Sequence, residues 1–296
     1  MKQGCSKCYV ILIVLSVCLL QTVKAQLTDL ARIEYSYIPN NNSEDHYRRL
    51  RAVLNYPIKI KSDDYLIIGG EYNRILLNLE DEYPFDTNQL KRLHVIDFSL
   101  GYTFKTSEHW RLGAKITPRI ASTLTDNLSM QDVFINGGIF AIKDRSKDKD
   151  LDKPYRLVLG LTYNSTAGVP FPLPFISYYR QINNSWSYNI GVPKSSIKHI
   201  FNEKNIIQVF AGLDGYFANI QKPLVVNQEQ VDNISLSVAV GGVGYEYCFT
   251  KHLIAYSYIG YTFILSNHLR DENRDNVYKL NDLNTFYFRS GIKLKI

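Results

Sequence analysis

Between positions 94 and 104 the chain alternates without a break. His94, Ile96, Phe98, Leu100, Tyr102 and Phe104 fall on one side of an extended strand, with Val95, Asp97, Ser99, Gly101 and Thr103 on the other. The next segment repeats the device: Trp110, Leu112, Ala114, Ile116, Pro118 and Ile120 oppose Arg111, Gly113, Lys115, Thr117 and Arg119. A two-residue period is the signature of a strand with two chemically different faces. These runs are also long. Strands in soluble sheets are usually about 5–6 residues, whereas a strand tilted across a bilayer needs roughly 9–11.

Similar segments fall near 31–39, 47–60, 65–79, 91–105, 109–123, 130–143, 155–165, 173–182, 185–192, 195–201, 205–219, 233–249, 252–266 and 284–296. The connections alternate in character. Short turns occur at 61–64, 106–108, 183–184, 202–204 and 250–251, and longer polar loops lie from Asn40, Glu80, Ile220 and Ser266. Short turns at one end and long loops at the other mark an up-and-down barrel of the outer-membrane type. Two connections depart from it: the charged stretch from Asp144 is long on the short side, and Pro193-Lys194 is tight on the long side. Aromatic residues near strand ends, such as Tyr155, Tyr163 and Trp110, suit interfacial girdles. The expectation is an all-β, transmembrane, up-and-down antiparallel β-barrel of about 14 strands. It falls to 12 if 185–192 and 195–201 do not both span. A secreted β-sandwich is the soluble alternative, and it does not account for the strand lengths. Within 233–249 the apolar parity changes, from Ile234, Leu236, Val238 and Val240 to Tyr245, Tyr247 and Phe249. A bulge at Gly241-Gly242 would restore the register.

The first 25 residues carry Lys2 and Lys7 ahead of an apolar run from Tyr9 to Leu20, with a small residue at Ala25. That is the pattern of a secretory signal peptide cleaved after Ala25, leaving 26–296 as one barrel domain. No later segment approaches 18 uncharged apolar residues, so strands are the only means of spanning. Three of the four cysteines, Cys5, Cys8 and Cys18, leave with the signal, and Cys248 alone forms no internal disulfide. Stability must then come from burial and closure. The signal also holds three of the 34 basic residues, leaving 31 against 28 acids. With so mild a charge and no basic module, nucleic acid is not an expected partner. The expected partners are outer-membrane lipid, the barrel-insertion machinery and small anionic solutes.

If the apolar faces meet lipid, the opposite faces line the lumen. They project Arg49, Arg51, Lys59, Arg111, Lys115, Arg119, Arg289 and Lys293 inward, with Glu71, Asp97 and Asp214 as acids. Two readings of this cation-rich inventory stand side by side. A basic lumen favours anionic solutes by the field logic of pores. Alternatively, the cations pair with lumen acids and tyrosines and pack the interior. No metal-ligand spacing, nucleophile motif, phosphate loop or dinucleotide turn is present, so neither cofactor nor catalysis is expected. Ser257 and His252 share a strand and would be the only candidates for a lipid-acting enzyme.

From Phe175 to Phe217 the sequence runs through a Tyr-Arg strand, a turn, a Trp strand ending in Gly-x-Pro and a further hairpin. Tyr179, Arg180, Trp186, Gly191 and Pro193 carry that pattern. It resembles an uncharacterised outer-membrane β-barrel family common in Bacteroidota-type bacteria. The resemblance implies fold and location and supplies no functional residues. The resulting expectation is an outer-membrane barrel serving as a passive or selective pore for small solutes. The alternatives are a non-conducting anchoring or loop-displaying barrel and, third, the lipid-acting enzyme. The terminal strand, Phe286 to Ile296, ends on an apolar residue but lacks the usual terminal aromatic of an insertion signal.

Overall fold

The computed structural model describes residues 29–39, 43–61, 63–146, 148, 151–165, 172–281 and 283–295, so the signal segment and Ile296 lie outside the described residues. The first six strands are β1 Ala31–Ile38, β2 His46–Lys59, β3 Tyr65–Asn78, β4 Arg92–Lys105, β5 Trp110–Ser122 and β6 Val133–Arg145. Four short ones follow: β7 Tyr155–Tyr163, β8 Leu173–Gln181, β9 Trp186–Val192 and β10 Lys194–Ile200. The last are β11 Asn205–Val226, β12 Glu229–Cys248, β13 Leu253–Arg270, β14 Asn276–Lys279 and β15 Phe286–Leu294. Consecutive strands pair antiparallel from β1 to β13. β15 then joins β13 to β1, with Ala31 opposite Leu294. The ring therefore closes with 14 strands, and the small β14 pairs only with the upper end of β13. β9 and β10 are just seven residues each, yet both belong to the ring.

Alternation sorts the side chains as a barrel in lipid requires. Along β1, Ile33 is 62% exposed on the outer wall while its neighbour Glu34 is 2% exposed within. Leu54, Phe98, Ile116, Ile139, Ile190, Val209 and Phe288 also lie on the outer wall. Aromatic pairs ring the short-turn end, with Trp186 against His199, Tyr247 against Phe249 and Tyr102 against Phe104. Tyr261, Phe263 and Phe286 do so toward the other end. An aliphatic band between two aromatic girdles is consistent with an outer-membrane location.

Two sequence expectations are corrected on β11 and β12. The polar loop expected over 220–232 is mostly strand. β11 and β12 continue to a two-residue turn at Asn227 and Gln228, whose φ values of 53° and 71° are those of a tight hairpin that follows the sheet twist. Pro223, which lacks an N–H, sits within the register shift between Asn219 and Leu224. The bulge expected at Gly241-Gly242 is likewise absent: β11 and β12 pair in unbroken register from Asn205↔Tyr247 to Asn219↔Asn233. Ile234, Leu236, Val238 and Val240 lie on the same face as Glu246 and are buried inside the barrel. The parity change in the sequence is a change in what the inner face touches.

It touches an arm. Beyond the end of β10, β11 has no neighbour on that side among the described residues, and the hairpin it forms with β12, itself paired with β13 as far as Asn233, reaches across to β5, where Asn219 pairs in parallel with Ser122. β5 and β11 are separated in the ring by five strands, so the arm spans a chord of the mouth above the short strands. The turn inward begins at Gly215 (φ 158°), where an added Cβ would stand 2.1 Å from the Leu236 carbonyl oxygen. Tyr216, Ala218, Ile220, Val226 and Val231 on the arm pack with Tyr47, Ile75, Leu77, Leu93 and Val95 from the inner faces of β2, β3 and β4. The arm's other face sets Phe217 edge-on to Phe134 of β6, 5.5 Å between ring centres. Buried Asp132, in the short turn of helix before β6, fastens it by accepting hydrogen bonds from Asn219 (2.8 Å) and Gln221 (2.9 Å).

Candidate functional site

Below the arm, the inner face of the barrel is a set of ion pairs. Asp214, at the base of the arm, accepts two bonds from Arg49 (2.8 and 2.6 Å), one from Arg289 (2.6 Å) and a longer one from the Tyr287 hydroxyl (3.4 Å). Arg51 reaches Glu71 at 2.8 Å and Glu34 at 3.5 Å, and Tyr256 donates to Glu34 at 2.6 Å. Glu246 accepts from Lys198 (2.9 Å) and Tyr258 (3.1 Å), with the Lys293 ammonium 3.0 Å away. Gly244 makes room for this last cluster, because a Cβ there would meet the Tyr258 ring at 2.2 Å. On the adjoining wall Arg119 grips Asp97 through two bonds of 2.6 and 2.7 Å.

Most of the inward cations projected from sequence thus have partners. Arg49, Arg51, Arg119, Arg289 and Lys293 each meet a carboxylate, and Glu71, Asp97 and Asp214 are among the acids they meet. Arg111 lies near the short-turn end, bonding the Asp63 carbonyl at 2.6 Å and covering the Tyr65 ring. Lys59 is exposed at the end of β2 by the same turn. Lys115 differs: it sits on the inner parity of β5, is exposed to water, and forms no ion pair among the described residues.

The inventory from sequence omitted Glu34, Glu246, Lys194, Lys198 and the tyrosines 256, 258 and 287. All carry a legible signal, since each has the inner parity of its strand. Lys194 opens β10 on the inner face, exposed, with its ammonium 5.4 Å from the Phe210 ring centre and 5.0 Å from that of Tyr258. It too lacks an ion pair among the described residues. Between Lys115 and Lys194 the inner wall combines small or polar side chains, including Gly138, Gly160, Thr162, Ser177, Asn189 and Ser196, with the edge-on pair of Phe140 and Phe175, 5.6 Å between ring centres. All are partly open to water. The two halves of the lumen therefore differ: the β11–β15 and β1–β4 side is packed and neutralised, and the β5–β10 side is more open and carries the two lysines that form no ion pair among the described residues.

The Ser257 and His252 candidates are not brought together. The Ser257 hydroxyl bonds that of Ser290 at 2.8 Å, and His252 Nδ1 faces the Lys295 carbonyl at 3.0 Å. Cys248 is a free, partly buried thiol at the short-turn end of β12.

The sequence profile of a domain of unknown function, DUF6268, matches residues 21–295. The chain belongs to that family. No protein of curated function matches it. Among solved structures it is similar to the KdgM porin, at 7% identity and a TM-score of 0.36 over 90% of this chain and 99% of that one. LpxR from Salmonella typhimurium is similar at 8% identity and 0.41 over 90% and 99%, and the NanC porin at 10% and 0.38 over 90% and 100%. At these values the likenesses extend to neither solute nor activity.

Proposed function

We propose that this DUF6268 barrel is an outer-membrane pore for small solutes, with its route along the β5–β10 side and a preference for anions. The observation that supports the route is the asymmetry of the inner face. Lys115 and Lys194 are exposed to water and form no ion pair among the described residues, whereas Arg49, Arg119, Lys198 and Lys293 each meet a carboxylate. A fixed charge bordering a narrow aqueous path attracts counter-charged solutes, and it does so more strongly where the surrounding wall has a low dielectric constant. Paired charges exert little field of this kind. The reading assigns the barrel no catalytic step.

Planar-bilayer conductance of the refolded protein tests it. Channels should open with anion preference, and Lys115→Glu combined with Lys194→Glu should move the reversal potential toward cations. Absence of channels under every ionic condition rejects the pore, and unchanged selectivity in the double variant rejects the assigned route. A second reading is a non-conducting barrel, and one observation favours it: the arm fills the outer half of one side with apolar side chains. That reading predicts no conductance in the native chain.

A further inference from the structure

On the loop side of the arm lies a cavity of about 70 Å³, open to the outside rather than sealed. Its wall is mainly apolar, with Leu77, Tyr216, Leu236, Val238, Ile264 and Leu280 contributing. Six polar residues interrupt that wall: Asp45, His46, Thr262, Asn267, Asn281 and Thr285. Three of them carry buried atoms that make no hydrogen bond among the described residues, namely His46 Nε2, Asn267 Oδ1 and Thr285 Oγ1. Thr285 is only 3% exposed, yet its hydroxyl is unpartnered. A buried polar atom without a partner is unfavourable, and three around one apolar cavity point to a shared ligand.

The chemistry of those atoms limits the ligand. Asn267 Oδ1 only accepts; its amide nitrogen donates to the Asn281 carbonyl at 2.6 Å. His46 Nδ1 faces the Glu44 carbonyl at 3.2 Å, and since a carbonyl only accepts, Nδ1 is the donor there and Nε2 is the acceptor of that tautomer. Asp45 adds a carboxylate, held by the Glu80 and Asp81 backbone N–H groups at 2.8 and 3.1 Å and by the Tyr83 hydroxyl. Among the described residues no lysine or arginine lines the cavity. The unpartnered atoms are therefore two acceptors and one hydroxyl, beside a carboxylate, which suits a hydrogen-bond donor and disfavours an anion.

We infer that this outer cavity binds the end of a small neutral amphiphile, a short hydrocarbon bearing a hydroxyl group. The ligand differs in charge from the solutes assigned to the lumen, and no lumen lysine takes part. Failure of this site therefore leaves the pore reading intact, and the reverse also holds.

The test uses 4,4,4-trifluorobutan-1-ol, titrated into the refolded protein in detergent micelles and followed by fluorine NMR against protein-free micelles. The alcohol should show a saturable shift beyond micelle partitioning. Trifluorobutyrate should bind at least about tenfold more weakly. Thr285→Val keeps the shape of the side chain and removes a hydroxyl that bonds nothing among the described residues. It should weaken the alcohol about two- to tenfold while leaving the heat-modifiable gel shift of the folded barrel unchanged. Leu283→Trp, at the partly exposed rim, should remove the saturable component without disturbing the core. Non-saturable partitioning equal to that of empty micelles overturns the inference. So does equal binding of the carboxylate, or an alcohol affinity unchanged in both variants.

Discussion

Asp214→Asn is the substitution that weighs most on this fold. The carboxylate serves two guanidinium groups at once, and one of them, Arg49, is 4% exposed. Asparagine preserves the shape and leaves Arg49 inside the barrel without a counter-charge. At an effective dielectric constant near 20, two unit charges about 4 Å apart attract by about 4 kcal/mol, and removing one partner of a buried pair typically costs about 3–5 kcal/mol. Arg289 adds little, because its side chain is 20% exposed and water can solvate it. The expected loss is therefore about 3–5 kcal/mol, nearly all of it from Arg49. Adding Arg49→Met removes the stranded charge and should recover most of that loss, giving a strongly non-additive double-mutant cycle. Urea titration of the protein folded into lipid vesicles, read as the fraction of fast-migrating unheated band, measures both quantities. A loss below about 1 kcal/mol for Asp214→Asn, or a double variant as unstable as the sum of the singles, would refute this account of the ion pairs.

Three other substitutions separate roles that look alike in the sequence. Gly215→Ala should undock the arm, because the new methyl group would press on the Leu236 carbonyl; faster protease cleavage near Asn227 reads this out. Lys115→Glu should shift ion selectivity and leave stability almost unchanged. Arg119→Glu should instead destabilise the barrel, since it sets a second carboxylate beside Asp97, and matching effects of the two would contradict the division of the lumen. At Asp132, burial alone would raise the carboxyl pKa. Hydrogen bonds from Ser122, the Ser129 backbone, Gln221 and Asn219 outweigh it and hold the pKa below the usual carboxylate range. A depressed folded-state pKa gives a contribution that is complete above the unfolded pKa, about 4, and is lost as pH falls through the folded value. Amide exchange at Asn219 and Gln221, corrected for intrinsic rates, should therefore accelerate at pH 3 relative to pH 6, and Asp132→Asn should abolish that difference.

By itself the sequence determined the strands, their order and the outward face. The lipid-facing wall needs apolar side chains at every second position, and that requirement is met locally, residue by residue, from Ile33 on β1 to Ile292 on β15. The count stayed between 14 and 12 at that level, and only the pairing of the short β9 and β10 into the ring decides for 14. Even the omitted inner residues, Glu34 and Glu246 among them, were legible by parity. Only the tertiary structure decided what fills the lumen. Alternation distinguishes inside from outside when the inner face is polar, and it loses that power where the interior is packed with apolar groups. Ile234, Leu236, Val238 and Val240 imitate a lipid-facing stripe because an apolar core and a bilayer ask for the same side chains. The hairpin through Asn227 resembled a polar loop for the complementary reason, since its outer end carries Gln228, Glu229 and Gln230 while Leu224, Val226 and Val231 are buried. Partner choice was equally out of reach. Arg49 and Asp214 lie 165 residues apart, and only closure of the ring with the inward bend at Gly215 sets them 2.6 Å from one another.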